Sequence, residues 1–123
     1  MPVFNFVLLY VDNPLTSAAF YTNLLNRPTV EESPTFAMLP LREGVMLGLW
    51  ARKTVEPAAQ GAAGSSEVVF QVADIAAVRA THAEWASRGI PIAQAPTDMD
   101  FGHTFVGLDP DGYRLRVYAP RAT

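Results

Sequence analysis

The stretch LDPDGYRLRVY, Leu108 to Tyr118, joins a tight acidic turn to an alternating run. Asp109 and Pro110 start the turn and Gly112 supplies the positive φ that closes it. The residues that follow alternate in polarity with the period of a β-strand. An earlier stretch has the same form: the turn Arg42-Glu43-Gly44 leads into VMLGLW, residues 45–50. Gly44 falls on Gly112, and Leu47-Gly48-Leu49-Trp50 lies over Leu115-Arg116-Val117-Tyr118. The chain therefore reads as one unit written twice.

The rest of each half supports this reading. FVLLYVDN (6–13) is strand-like, and Asn13 caps a helix whose first residue, Pro14, has no N–H to leave unpaired. Ala18, Phe20, Tyr21, Leu24 and Leu25 give that helix an apolar face, and Asn26 is its left-handed stop. Strand candidates follow around Thr29 to Glu31, at TFAML (35–39) and at VMLGLW. In the second half EVVFQVAD (67–74) is the strand, and Asp74 caps IAAVRATHAEWASR, which stops at Gly89. IPIAQ (90–94), HTFVGL (103–108) and YRLRVY (113–118) complete the set. Val11 falls on Val72, Asn13 on Asp74, and Thr35-Phe36 on Thr104-Phe105, with the second turn one residue shorter. We expect an α+β fold of two tandem β-α-β-β-β modules, residues 1–52 and 66–123. The Ala-, Gly- and Ser-rich segment 53–65 reads as a linker. One module has a single sheet face to bury, so two must combine to make a core.

Composition narrows the function classes. Half of the 123 residues are hydrophobic and 17% are charged, which suits one small folded domain. A net charge of -3 disfavours nucleic acid and anionic membranes as partners. With no cysteine, thiolate metal sites, disulfides and thiol nucleophiles are excluded. The apolar start is interrupted by Asp12, Asn13 and Pro14, too soon for a membrane helix or a signal peptide. A soluble, cytoplasmic protein is expected.

The paired modules, Phe20-Tyr21 in the first helix and the final DPDG resemble the vicinal oxygen chelate superfamily, which includes glyoxalase I, extradiol dioxygenases and bleomycin-resistance proteins. That resemblance implies curved mixed sheets around a cleft, and a homodimer; the modules pair either within one chain or across the dimer, as is often the case in the superfamily. Metal-bearing members carry ligands early in each module's first strand and in each last strand, typically His or Gln, Glu, His and Glu. Carried over by counting from Asn13, Asp74, Gly44 and Gly112, the four places are Phe6, Glu67, Gly48 and Arg116. Phe6 and Gly48 offer no donor, Arg116 brings a permanent cation, and Glu67 alone is not a site. A shift of one residue, to Asn5, Leu49, Ser66 and Val117, does no better. No metal and no other cofactor is expected.

Strand alternation makes Phe6, Leu8, Tyr10, Met46, Gly48 and Trp50 the cleft candidates of the first module. Glu67, Val69, Gln71, Arg114, Arg116 and Tyr118 are those of the second. Such a wall of aromatics, methionine and a few polar groups suits a flat organic molecule. Gly48 would let a ring lie against the sheet. Glu67 and Arg116 would pair with each other or orient the ligand. His103, in MDFGHTF (99–105), joins the list because a Gly-containing loop beside an aromatic often borders a cleft. The ligand-binding set is therefore Phe6, Tyr10, Met46, Gly48, Trp50, Glu67, His103, Arg116 and Tyr118, with no catalytic residue. Phe6 and Leu8 also suit a core, Trp50 a dimer contact, and His82 and Trp85 helix-to-sheet packing. Asp109 and Asp111 are explained by the turn. The superfamily's antibiotic-resistance branch lacks the metal set, and the likeness is greatest to its small phenazine- or peptide-drug-binding members. The expected function is metal-independent capture of a hydrophobic aromatic small molecule, an antibiotic or secondary metabolite. The rivals are a glyoxalase-like lyase or dioxygenase, and a structural dimer whose own side chains fill the cleft.

Overall fold

A computed structural model of the chain describes residues 1–121. The first compact unit is Met1–Ala63 and the second begins at Gly64. Each is built in the order strand, helix and three strands, so the α+β architecture read from the sequence is the one observed.

In the first unit, strand β1 (Phe6–Val11) is followed by helix α1 (Pro14–Leu25) and by β2 (Glu31–Glu32), β3 (Phe36–Arg42) and β4 (Val45–Ala51). The sheet order is β1-β4-β3-β2, with β1 parallel to β4 and the other pairs antiparallel. The Asn13 side chain accepts hydrogen bonds from the Leu15 and Thr16 amides, and Asn26 closes the helix at φ 53. These are the start and stop signals of the sequence, at the residues named for them. Helix α1 covers one face of the sheet, burying Ser17, Ala18 and Tyr21. That side of the sheet is Leu9, Val11, Ala37, Leu39, Leu47 and Leu49, all buried.

The second unit contains β5 (Glu67–Gln71), helix α2 (Ile75–Ser87), β6 (Ile92–Met99), β7 (Gly102–Leu108) and β8 (Arg114–Pro120). Its order, β5-β8-β7-β6, reproduces the first sheet, with β5 parallel to β8. The Asp74 carboxylate accepts from the Ala77 amide to start α2. Trp85 packs edge-on to Phe70 and Phe105, and the His82 ring meets Phe105 at 5.3 Å. His82 and Trp85 are thus helix-to-sheet packing, whereas Ile75 stays exposed. The Asp109 carboxylate accepts from the Asp111 and Tyr113 amides, and Gly112 lies at φ 83. DPDG is a turn closed by its own first side chain.

One part of the repeat needs correction. Phe36 pairs with Trp50, and Trp50 stands at the place of Tyr118, which pairs with Thr104. Phe36 therefore corresponds to Thr104, and Ala37 to Phe105. The β3–β4 and β7–β8 hairpins have the same length, since Pro40↔Met46 matches Leu108↔Arg114. The two Thr-Phe pairs match by letters but sit one residue apart in register, which turns a side chain to the opposite face.

Gly102 has φ 152, and a Cβ there would overlap the carbonyl oxygen of Ala119 on the paired strand. Gly102→Ala should therefore destabilise the protein by about 2–4 kcal/mol, read as a lower denaturation midpoint. An unchanged midpoint would show that β7 and β8 can separate at this end without loss.

Candidate functional site

Each sheet has one face covered by its helix, so functional side chains must come from the other. On the first sheet that face carries Phe6, Leu8 and Tyr10 beside Met46, Gly48 and Trp50, because these pairs share register on parallel strands. Phe36 and Met38 from β3 join them. Tyr10 and Trp50 meet edge to face at 6.3 Å, and Phe6 and Phe36 lie 6.4 Å apart at 41°. Trp50 is partly exposed and Leu8 is 42% exposed. The result is an aromatic surface open on one side.

Gly48 does not leave a vacant patch on this surface. A Cβ there would come within 2.5 Å of the Phe6 ring and of a Leu8 methyl, and 3.3 Å from Phe36. The protein's own side chains lie over the glycine, where the sequence suggested room for a ligand ring. The ring area on this face comes from Tyr10, Trp50, Phe6 and Phe36, each partly exposed.

The open face of the second sheet is polar. Arg116 donates from Nε to Glu67 Oε1 at 2.9 Å and from Nη2 to Oε2 at 3.1 Å. Its Nη1 donates to Gln94 Oε1 at 3.2 Å and Thr104 Oγ1 at 3.3 Å. The Phe101 ring lies against the guanidinium, 5.7 Å from centroid to carbon, and meets Tyr118 edge-on. Tyr118 donates to Gln71 Oε1, and Arg114 approaches Glu67 Oε2 at 3.8 Å. The Arg116 side chain is only 15% exposed, so this network is an organised part of the face. The hydrogen bond from Arg116 holds the Glu67 carboxyl below its usual 4.5; burial opposes this, and the charges of Arg116 and Arg114 reinforce it.

His103 does not join these residues. It pairs with Ala119 next to Phe105 and Val117, which puts it on the helix side of the sheet. There it is buried and donates from Nδ1 to Asp98 Oδ1 at 2.6 Å. That contact holds Asp98 below its usual carboxyl value. His103 and Asp98 line a cavity of about 530 Å³ at the start of α2, with Asp74, Ile75, Ala119 and Arg121. Of the stretch MDFGHTF, Phe101 and Thr104 reach the open face. Sequence reasoning missed both, together with Gln94 and Phe36. The aromatic in the loop was the available signal, but only the strand register shows which neighbour faces which side.

The positions that hold metal in some relatives do not fit an ion here. Phe6 covers Gly48, and Arg116 occupies both oxygens of Glu67. Among the described residues no three His, Asp or Glu side chains cluster as a metal site, and no helix is long and apolar enough to cross a membrane.

The sequence model of the Glyoxalase/Bleomycin resistance protein/Dioxygenase superfamily matches residues 3–117. A curated relative, the phenazine antibiotic resistance protein EhpR of Enterobacter agglomerans, is 28% identical over 116 residues, covering 92% of this chain and 88% of its own. The solution NMR structure of protein ATC0852 from Agrobacterium tumefaciens is 47% identical with a TM-score of 0.88, covering 99% of this chain and all of that one. A glyoxalase/bleomycin resistance protein/dioxygenase from Nocardioides, at 21% identity and TM-score 0.81, covers 98% of this chain and 84% of its own and shares the fold.

Glu67 titrates below its unfolded value, so its contribution to stability is present above pH 4.5 and lost as pH falls through the folded value. Glu67→Gln should lower stability by up to about 1 kcal/mol at pH 7. The gap from wild type should close in melting curves taken below pH 4.5. A gap that persists unchanged in acid would mean the charge of Glu67 is not what stabilises the fold.

Proposed function

This chain belongs to the Glyoxalase/Bleomycin resistance protein/Dioxygenase superfamily, and we propose that within it the protein is a metal-independent binder of a planar, largely hydrophobic aromatic molecule. An antibiotic or secondary metabolite, held and so kept from its target, is the ligand class. The observation that carries the reading is the open face of the first sheet, where Tyr10 and Trp50 present ring area on the side opposite α1. Rings so placed offer stacking and apolar contact at small conformational cost. The open face of the second sheet, taken by itself, carries Arg116, Phe101 and Tyr118, rings beside polar groups. The likeness to a phenazine antibiotic resistance protein supports the ligand class. Of the residues expected at the site, Phe6 and Gly48 shape the aromatic face from beneath, and Met46 borders it. Glu67 fixes Arg116, and His103 lies outside the proposal.

A lyase or dioxygenase of the same superfamily is the weaker reading. Its metal would need donors at Phe6 and Gly48, and a carboxylate not already committed to a guanidinium. The proposal includes the homodimer that the resemblance implies. Light scattering should give twice the mass of one chain, and the monomer mass would remove that part.

Titration with phenazine, followed by tryptophan emission, tests the binding. Trp85 is buried between Phe70 and Phe105, so quenching should report Trp50 and disappear in Trp50→Phe. Trp50→Ala should weaken binding by about 1–3 kcal/mol in calorimetry. Dialysis against EDTA should leave the dissociation constant unchanged. Failure of phenazine and other aromatic antibiotics to bind would sink the proposal, and loss of binding after EDTA would sink its metal independence.

A further inference from the structure

The helix side of the second sheet carries a feature of its own. Asp98, His103 and Ala119 are direct cross-strand neighbours on β6, β7 and β8, so their side chains stand in one row. This row, Arg121 and the residues from Ala73 to Ala76 at the start of α2 line the cavity of about 530 Å³. Sites for small molecules commonly measure about 300–1,000 Å³. The His103 ring is 7% exposed, and its Nδ1 lies 2.6 Å from Asp98 Oδ1. Its Nε2 is buried and, among the described residues, has no hydrogen-bond partner. An unpaired polar atom in the interior costs free energy, and most such atoms are satisfied. The fold does not demand an imidazole here. Thr35 holds the matching place in the first unit, since Ala51 meets Thr35 as Ala119 meets His103.

We infer that this cavity is a binding site for an uncharged, mainly apolar molecule bearing a hydroxyl group, a phenol being the simplest case. The Asp98 carboxylate accepts from Nδ1, so the neutral ring keeps its hydrogen there and leaves a lone pair on Nε2. That lone pair is satisfied by a donor, and an O–H group is one. Shielding from bulk water strengthens the bond made at such an atom. Charge decides against other ligands. An anion would meet the carboxylates of Asp98 and Asp74, while the single opposing cation, Arg121, already donates to the Met99 carbonyl. A cation would meet Arg121 and the positive end of the α2 dipole. Both carboxylates also have partners already, Asp98 in the imidazole and Asp74 in the Ala77 amide. Ala73, Ile75, Ala76 and Ala119 supply carbon surface for an apolar body, and Ile75 is 47% exposed, area that a bound ring would cover. The site uses no residue of the aromatic face, so it stands or falls apart from phenazine binding.

Phenol and anisole, which share a ring and differ in the O–H hydrogen, test the inference by NMR titration of ¹⁵N-labelled protein in mildly alkaline buffer. The His103 signals of the free protein should report hydrogen on Nδ1 and a bare Nε2, and hydrogen on Nε2 would overturn the inference. Phenol should move the Nε2 signal to saturation and bind about tenfold more tightly than anisole. His103→Phe, which keeps a ring and removes the acceptor, should weaken phenol by about tenfold. Should that variant fail to fold, Asp98→Asn carries the test, because the Asp98 side chain is 78% exposed. An amide N–H donated to Nδ1 would move the ring hydrogen to Nε2, and phenol should weaken by about fivefold. Equal affinity for phenol and anisole, or phenol affinity unchanged in Asp98→Asn, overturns the inference. Benzoate binding more tightly than phenol would make this an anion site and overturn it as well.

Discussion

The parallel pairing of first and last strand in each unit is the constraint on which everything else depends. β1 lies beside β4 and β5 beside β8, residue against residue without a slip. Side chains therefore fall into two sets by alternation alone, and the helix between them covers one set. Leu9, Val11, Leu47 and Leu49 go under α1; Phe70, Leu115 and Val117 lie on the α2 side of the second sheet. Whatever the other set carries is left to face outward. A pattern that buries the core also decides which residues are free to meet a ligand.

Because the two sheets share this register, their outward faces can be compared place by place. Phe6, Phe36 and Gly48 in the first correspond to Glu67, Thr104 and Arg116 in the second. In one unit a ring bends over a glycine and closes the space with apolar contacts. In the other a guanidinium reaches to a carboxylate and a hydroxyl. The same three positions thus produce an apolar patch once and a charged network once. Neither set offers a metal open coordination: the first supplies no donors, and the second spends its carboxylate on a guanidinium.

The sequence was most legible where a local rule acts alone. Asn13, Asp74, Asn26 and Gly112 each do what their own chemistry dictates, because a cap or a turn is settled within a few residues. Open-face residues of the first and last strands were also readable, since their alternation runs uninterrupted through each parallel pair. Residues on β3, β6 and β7 were not. Their side depends on hairpin register, and β6 shifts register twice against β7. That is why Phe36 aligned by letter with Phe105, and why the loop suggested His103 although Phe101 is the one that reaches the open face. The network around Arg116 was visible only in part: Glu67 and Arg116 follow from counting, but Gln94, Thr104 and Phe101 converge through pairings no local pattern announces.

The strength of the Glu67–Arg116 contact does not by itself explain why the pair is present. A partly exposed ion pair adds little to stability, and a pair of apolar residues at these places would serve the fold as well. The first sheet shows as much, since Phe6 and Gly48 occupy the matching places without a charge between them. Acid–base chemistry is no better an account. A carboxylate held low by two arginines is a weak base, and its lone pairs are directed at a guanidinium. What the pair does provide is a cation fixed in position and neutralised from within, under an aromatic ring and with little exposure. Such an arrangement keeps a charged group in one orientation on the face without leaving its charge uncompensated.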